Sequence, residues 1–440
     1  MLPGRVQVAD VRVRDGRIVE IGPGLDSAGE VIVDADGLTV LPGAIDPHGH
    51  QWEPGFTSRA DFRDVTASAA FGGVTTLLDH PLTPPVVLDR RAFAAKVALG
   101  ERTSSIDFGL HGGVAPGTLA EIEGMWEAGA TGIKLFTCPT GTPLDGFDDP
   151  AALGWAVDRL AAIGALALVH AEDAATLERS AAALHVEGRG GVADFPRWHS
   201  LEAETTATDR VLALAARSGA RLYLVHASDP SIVDRVATAR DRGLVAHVET
   251  CPHYLHLTSD DLGAQGARAM TAPPVRDQVA RDGLRERLAD GVIDTVGSDH
   301  CTVSSAGKSG ETMESVIPGV PGLDLFLPLL LDLVADGILD MPRLAEVIAS
   351  TPARIFGLPT KGAIEIGRDA DLVLVDRTAS IVVDARRLPS SAGWSPYDGR
   401  TLRGSVVGTW SRGEPVARDG QPIERAGHGR FVARREVQRD

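Results

Sequence analysis

His48 and His50 lie two residues apart at the end of the apolar run Leu38–Ile45, in the stretch Asp46-Pro47-His48-Gly49-His50. On a strand, residues i and i+2 point to the same side. Two imidazoles then leave one strand end together, as pre-aimed neutral nitrogen donors suited to a metal ion. On this stretch alone a second reading stays open: two loop histidines beside a proline and a glycine. Further residues of the same chemistry follow at the ends of later apolar runs. They are His170 after Leu166–Val169, His226 after Leu222–Val225, and Asp299 after Ile293–Ser298, with Lys134 inside Gly132-Ile133-Lys134-Leu135-Phe136.

The elements that must position these side chains can be read from the pattern. The first forty residues alternate as β-structure, with a hairpin signal at Asp15-Gly16 between Val11–Arg14 and Arg17–Ile21, then Val31–Val33 and Leu38–Leu41. From Pro42 the pattern changes to short apolar runs alternating with Ala-rich helical stretches. Strand candidates are 44–48, 74–79, 106–111, 131–136, 166–170, 222–226, 245–250 and 293–299. Helix candidates between them include 153–163, 202–218, 232–242 and 278–290. Repeated strand–helix units impose parallel strands with right-handed crossovers, and this number of units in this length predicts a closed α/β barrel of the (β/α)8 TIM type. A last helix is expected after Pro342, ending near Phe356-Gly357, and β-structure returns at 363–367, 371–376 and 406–410. Neither chain end has enough faces to bury alone. The expectation is therefore one small β-sandwich built from both ends, residues 1–42 and 359–440, with the barrel, residues 43–358, inserted between its halves.

In such a barrel the active site lies at the C-terminal ends of the strands. His48, His50, Lys134, His170, His226 and Asp299 would then converge on one mouth. Each has an ordinary alternative taken singly: a hydrogen-bonded surface histidine, or a snorkelling lysine. Their shared placement favours metal binding. A lysine buried beside cations loses its proton readily, and the free amine can add carbon dioxide to become a bidentate carbamate. The expected site has His48, His50 and Asp299 on one ion, His170 and His226 on another, and carboxylated Lys134 between them. A hydroxide shared by two such ions is nucleophilic near neutral pH, and Asp299 is placed to move its proton to the leaving nitrogen.

Composition narrows the class. Hydrophobic residues make up 43% and charged residues 23%, within the normal range for a globular protein. Acidic residues outnumber basic ones by 60 to 43, a net charge of −17, which argues against nucleic acid as a partner. No run approaches the roughly 20 apolar residues that span a membrane. Met1–Arg5 lacks the apolar run of a leader, and the three dispersed cysteines, Cys138, Cys251 and Cys301, fit a reducing compartment. A cytoplasmic enzyme is expected.

The motifs resemble those of the amidohydrolase superfamily, in its cyclic amidase branch of allantoinases, hydantoinases (dihydropyrimidinases) and dihydroorotases. Pro42–His50 with Glu53-Pro54-Gly55, Gly72–Thr76, Val169–Glu172, Val225–Ser228, Glu249–Leu255, Pro273–Asp277 and Gly297–His300 follow in that branch's order, over nearly the whole chain. The resemblance implies a barrel with two divalent ions, zinc first and iron, cobalt or manganese also compatible, bridged by N-carboxylated Lys134. It also implies hydrolysis of a small cyclic amide by a homotetramer or homodimer. The closest likeness is to allantoinases, through Gly112-Gly113-Val114, Pro273–Asp277 and Gly319–Leu323; Cys301-Thr302 looks more like hydantoinases.

Substrate residues depart from the branch. Dihydroorotases resemble one another in an Arg two residues after the second histidine; here stands Trp52, which cannot pair with a carboxylate. Trp52 either faces the substrate or turns into the sandwich interface. The segment Asp79–Pro84 lacks the branch's Asn, Phe136–Thr140 lacks the hydantoinase Tyr, and Phe195-Pro196-Arg197-Trp198-His199 fits neither group. Trp52, His80, Cys138, Pro274, Gly319 and Gly322 are the candidate substrate contacts, and Trp52, Trp198 and His80 would make an aromatic pocket. His253, His300 and Arg276 are expected in hydrogen-bonding and loop-ordering roles. The predicted function is metal-dependent opening of a cyclic amide or ureide ring. The alternatives are another cyclic amide or imide handled by the same machinery, and a non-catalytic scaffold, which the intact ligand set disfavours.

Overall fold

The computed structural model describes residues 6–27 and 29–435; Met1–Arg5, read above for a leader, lies outside them. Strands β1 (Asp10–Arg14) and β2 (Arg17–Gly22) form the expected hairpin, and β3 (Thr39–Pro42) leads into the barrel. The eight barrel positions are filled by β4 (Ala44–Gly49), β5 (Val74–Asp79), β6 (Asp107–Leu110) continuing as β7 (Gly112–Gly113), β8 (Ile133–Phe136), β9 (Leu166–His170), β10 (Arg221–Leu224), β11 (Ala246–Thr250) and β12 (Thr295–Val296). Their ladders are all parallel. The third position is interrupted at His111, whose ring donates to the Pro47 carbonyl (3.1 Å) and accepts from Thr131 Oγ1 (2.9 Å).

Closure between the last strand and the first is made by side chains as much as by backbone. Ser298 donates to Asp46 through its backbone N (2.8 Å) and its Oγ (2.6 Å), and Gly49 bridges His300. Asp46 is fully buried there, and burial pushes its carboxyl up to about 7. Helices at Pro150–Ala162, Ala174–Val186, Leu201–Ser218, Pro230–Asp241 and Gln278–Ala289 cover the barrel. Most start on an acidic N-cap, such as Asp149, Asp173, Asp229 and Asp277, whose carboxylate accepts orphan backbone N–H groups.

The sandwich uses both chain ends. β3 pairs with β13 (Leu372–Val382), which pairs with β14 (Thr401–Ser411), then β15 (Glu414–Arg418) and β16 (Gln421–Pro422). The β1–β2 hairpin packs on this sheet through Ile18, Ile364 and Ala370. Two expected strands are not formed. Residues 31–33 form no strand, with Val31 96% and Ile32 72% exposed. Residues 363–367 make a turn: Ile364 plugs the hairpin while the backbone bonds the edge of β2 at Ile18. Both are apolar runs that alternation alone reads as strands; whether a neighbouring edge is free to pair decides the outcome.

Barrel and sandwich are joined by a buried charge cluster. The Lys361 ammonium contacts Asp107 at the start of β6, Asp369 (3.1 Å) and Asp371 (2.7 Å), while Arg412 reaches Asp107 from the β14–β15 turn. Residues 430–434 run under the barrel, bonding Phe108 and Gly129. Removing one member of a buried ion cluster leaves the others uncompensated, typically worth about 3–5 kcal/mol. Lys361→Met is expected to lower stability by about that amount, read from urea and thermal unfolding; an unchanged midpoint would show that Arg412 suffices. A second expectation concerns Asp324, buried at the start of the helical segment after β12, where it accepts from Ser390 N (3.2 Å). Burial raises its carboxyl to about 6. The raised value means that the folded state holds the proton more tightly, so stability is full below the ordinary carboxylate range and falls as pH rises through about 6. Asp324→Asn should therefore gain stability relative to the parent as pH rises from 5 to 7.5, by roughly 1 kcal/mol, as a widening difference in melting temperature.

Candidate active site

The C-terminal ends of the barrel strands open into a cavity of about 1360 Å³. His48, His50, Lys134, His170, His226 and Asp299 all line it. The first two leave the end of β4, Lys134 stands on β8, His170 ends β9, and His226 and Asp299 follow β10 and β12. His226 and Asp299 both take left-handed backbone conformations, φ 43° and 45°. For non-glycine residues this is strained by roughly 1–3 kcal/mol and is held only by surrounding contacts.

Those contacts are identifiable. Glu249, on β11 and fully buried, accepts from His48 Nδ1 (2.7 Å), from the His226 backbone N (3.0 Å) and from Tyr223 OH (2.7 Å). The close approach needs Gly297: a Cβ there would lie 2.5 Å from Glu249 Oε2 and 2.7 Å from His48 Cβ. With Nδ1–H committed to Glu249, His48 presents the Nε2 lone pair, 3.3 Å from Asp299 Oδ1. His50 Nε2 lies 3.0 Å from the same oxygen. Across the cavity floor, His170 Nε2 donates to Glu172 (2.9 Å), so its Nδ1 faces inward, 2.9 Å from His226 Nε2.

The donor chemistry fits metal ions. Burial drives protons off the rings, pushing His48 down to about 3 and lowering His50, His170 and His226. It opposes ionisation of Asp299, but His48, His50 and His226 together outweigh it and hold the carboxyl well below the usual range. Burial likewise lowers the Lys134 amine to about 8, and no hydrogen bond to its Nζ is found among the described residues. The ligand atoms of His48, His50 and Asp299 lie within 4.8 Å of one another, and His226 Nδ1 is buried without a partner. Cys138, His170 and Glu172 also lie close together. Glu172, however, is committed to His170 and His199, and burial pushes the Cys138 thiol far up, so this group orients a ligand and does not form a ligand set. At Asp107, Asp369 and Asp371 the cation is Lys361 itself.

The candidate substrate contacts divide. Trp52 faces the cavity, 5.8 Å from the His50 ring and under the Arg59 guanidinium, 3.5 Å from its centroid; it does not turn into the sandwich. Gly319 also lines the cavity. Four others lie off the lining. His80 is fully buried behind His48, stacked at 3.9 Å, because it directly follows β5. Cys138 packs among Leu177, Ala203 and Trp198. Pro274 is buried in the loop after β11, and Gly322 donates to His300 Nδ1 (3.2 Å). His300 thereby organises that loop, and Arg276 does the same by binding Ser228, His199 and Glu204. Sequence reasoning passed over Glu249, Glu172 and Arg59. The two glutamates stand inside quoted motifs, but nothing in their spacing reveals the rings that they hold.

Fold and site together define a metal-dependent barrel hydrolase. A model of the amidohydrolase family matches residues 39–416, and the chain belongs to that family. An allantoinase of Rubrobacter xylanophilus is 39% identical over 435 residues, covering 98% of this chain and 95% of its own. A dihydroorotase of Halobacterium salinarum is 35% identical over 95% of this chain and 97% of its own. Among solved structures, an L-hydantoinase (dihydropyrimidinase) from Arthrobacter aurescens superposes with a TM-score of 0.94 at 32% identity, covering 98% of each chain. The protein is an enzyme that hydrolyses C–N bonds of cyclic amides in a metal-dependent reaction.

Partners that orient metal-bound histidines are commonly worth 10- to 100-fold in metal affinity. Glu249→Gln puts an amide N–H against a donor and should weaken metal retention by about that factor, measured by competition with a chelator. Retention equal to the parent's would remove Glu249 from this role.

Proposed function

We propose that the enzyme opens a cyclic ureide ring of the allantoin or hydantoin type. The supporting observation is that six donors from five barrel strands share one buried mouth. In this reading His48, His50 and Asp299 would hold one divalent ion, and His170 and His226 a second. The Lys134 amine, lowered by burial, would serve as a further ligand once N-carboxylated by carbon dioxide, with loss of a proton. Zinc is the first candidate, with iron, cobalt or manganese compatible; such ions polarise a carbonyl and make water nucleophilic near neutral pH.

The chain's own residues do the rest. Glu249 and Glu172 fix the tautomers of His48 and His170. Asp299 takes the proton of the attacking water and returns it to the ring nitrogen as the C–N bond breaks. Trp52, Phe136 and Trp198 give the substrate apolar walls. A second reading, a larger cyclic amide or imide, is favoured by the cavity's size and by Trp52. We further read residues 43–358 as the catalytic unit between sandwich halves 1–42 and 359–440, in a cytoplasmic homotetramer or homodimer. The free thiols Cys138, Cys251 and Cys301 support a reducing compartment.

The test combines metal analysis with a substrate panel of allantoin, hydantoin, 5-substituted hydantoins, dihydrouracil, dihydroorotate and cyclic imides, after loading with zinc, cobalt or manganese and bicarbonate. About two ions per chain and turnover of allantoin or a hydantoin are expected. Fewer than about one ion per chain, with no turnover, would sink the reading. Chelator treatment should abolish activity and re-addition of metal restore it. Lys134→Ala should be inactive, with partial return on adding acetate or propionate; undiminished activity in the variant would refute the bridging role.

A further inference from the structure

Lys96 stands on a face that the fold buries. It lies in the helix Arg90–Thr103, where Phe93, Lys96 and Gly100 form the buried side at the spacing of one helical face. The side chain is 2% exposed, too deep for its ammonium to snorkel to water. Nζ contacts Asp79 Oδ2, and Asp79 is the only polar contact of this ammonium among the described residues.

Asp79 closes β5, and its other carboxyl oxygen has a different task. The ladder between β4 and β5 ends at the pair Gly49–Asp79, with His80 N donating to Gly49 O (2.9 Å). One step further, the Gln51 backbone N donates to Asp79 Oδ1 (2.7 Å). A side-chain oxygen thus stands in for the next backbone carbonyl and carries the ladder past His50. The Asp79 backbone O accepts from His111 N (2.9 Å), so one residue ties the end of β5 to both neighbouring strands.

The rings at the mouth show why this hold matters. His48 and His170 are each turned by a carboxyl at the outer nitrogen, Glu249 and Glu172 respectively. For His50 and His226, Nδ1 is buried with no partner among the described residues. Their aim must come from the backbone. At His226 the backbone N is held by Glu249 Oε1 (3.0 Å). At His50 the peptide groups on either side are held, Gly49 O by His80 N and Gln51 N by the Asp79 carboxyl.

We propose that Lys96 is a positioning residue for the first metal ion: by fixing the Asp79 carboxyl it pins the backbone just after His50, and so keeps His50 Nε2 aimed at the place that it shares with Asp299. The role rests on the metal-binding reading above; Lys96 itself touches neither ion nor substrate. Removing one member of a buried pair leaves the other uncompensated, whereas removing both need not. In Lys96→Met the Asp79 carboxyl loses its anchor and is free to turn from Gln51. In Asp79→Asn one carbonyl oxygen remains, and the stranded ammonium competes with Gln51 N for it. In the double variant the Asn oxygen accepts from Gln51 N with no ammonium beside it.

The experiment measures retention of Co2+ against a chelator in the wild type, Lys96→Met, Asp79→Asn and the double variant, with circular dichroism and urea unfolding giving the folded fraction of each. Both single variants should hold an ion about 10- to 100-fold more weakly than the wild type. The double variant should return to within about threefold of it. Wild-type retention in the single variants, or a loss that only tracks the unfolded fraction, would overturn the proposal and leave the pair a support of the fold alone. A double variant as weak as the single ones would overturn it too, because the hydrogen bond to Gln51 N would then not be what matters. If Lys96→Met does not fold, Lys96→Gln carries the same comparison. A wild type that binds fewer than about one ion per chain would instead overturn the metal-binding reading, so the two failures are distinguishable.

Discussion

Imidazoles crowded into a buried floor need something to share. His170 Nδ1 and His226 Nε2 lie 2.9 Å apart, and His48 and His50 both meet one oxygen of Asp299. Burial lowers all four rings, so the positions favour neutral nitrogen donors of the kind that metal ions take. The rest of the molecule follows from holding this constellation open. For His48 and His170 the inward lone pair follows from an outward N–H committed to a carboxyl, Glu249 and Glu172 respectively. Both carboxyls are buried: the two rings on Glu172 hold it below the usual range, whereas at Glu249 burial outweighs the donors from two strands and pushes the carboxyl up to about 8.

The opposite end of the barrel solves a different problem with similar means. Asp107, Asp369 and Asp371 could be mistaken for a metal site, but Lys361 fills the centre and Arg412 closes the side. A covalently attached ammonium cannot dissociate, so this cluster acts as a joint between sandwich and barrel. The two clusters differ in one respect that matters for chemistry. The mouth is built mostly of neutral donors awaiting an exchangeable cation beside a large cavity; the joint is a closed set of charges with its own counter-ions. Burying carboxylates near one another thus does not by itself indicate function. The presence or absence of a tethered cation does.

The cavity divides function between its floor and its walls. The floor, made by strand ends, gathers the candidate metal ligands. The walls are made by the loops after β4, β8, β9 and β12, with Trp52 under Arg59 and the Phe195–His199 segment among them. Loops can vary without disturbing the parallel barrel beneath, which is why one floor can serve many ring amides.

Much of this architecture was legible in the chain. A strand buried on both faces reads as a continuous apolar run, and parallel pairing forces a helix between runs, so eight barrel positions and the strand-end placement of His48, His50, Lys134, His170, His226 and Asp299 follow from local pattern. Edge pairing did not follow. Val31–Val33 and Ala363–Gly367 have strand-like composition, yet one forms no strand and the other turns to plug a hairpin, because a ladder needs a free neighbour that composition does not encode. The substrate side shows the same divide. His80, Cys138, Pro274 and Gly322 lie behind or beneath the site residues, while Arg59 and His199, which no motif singled out, face the cavity. Sequence by itself determined which donors exist and that strand ends would gather them, since both depend on residue type and period. Only the tertiary structure decided which nitrogen of each ring points inward and which loops wall the cavity, because those depend on carboxylates and backbone carbonyls brought from distant segments.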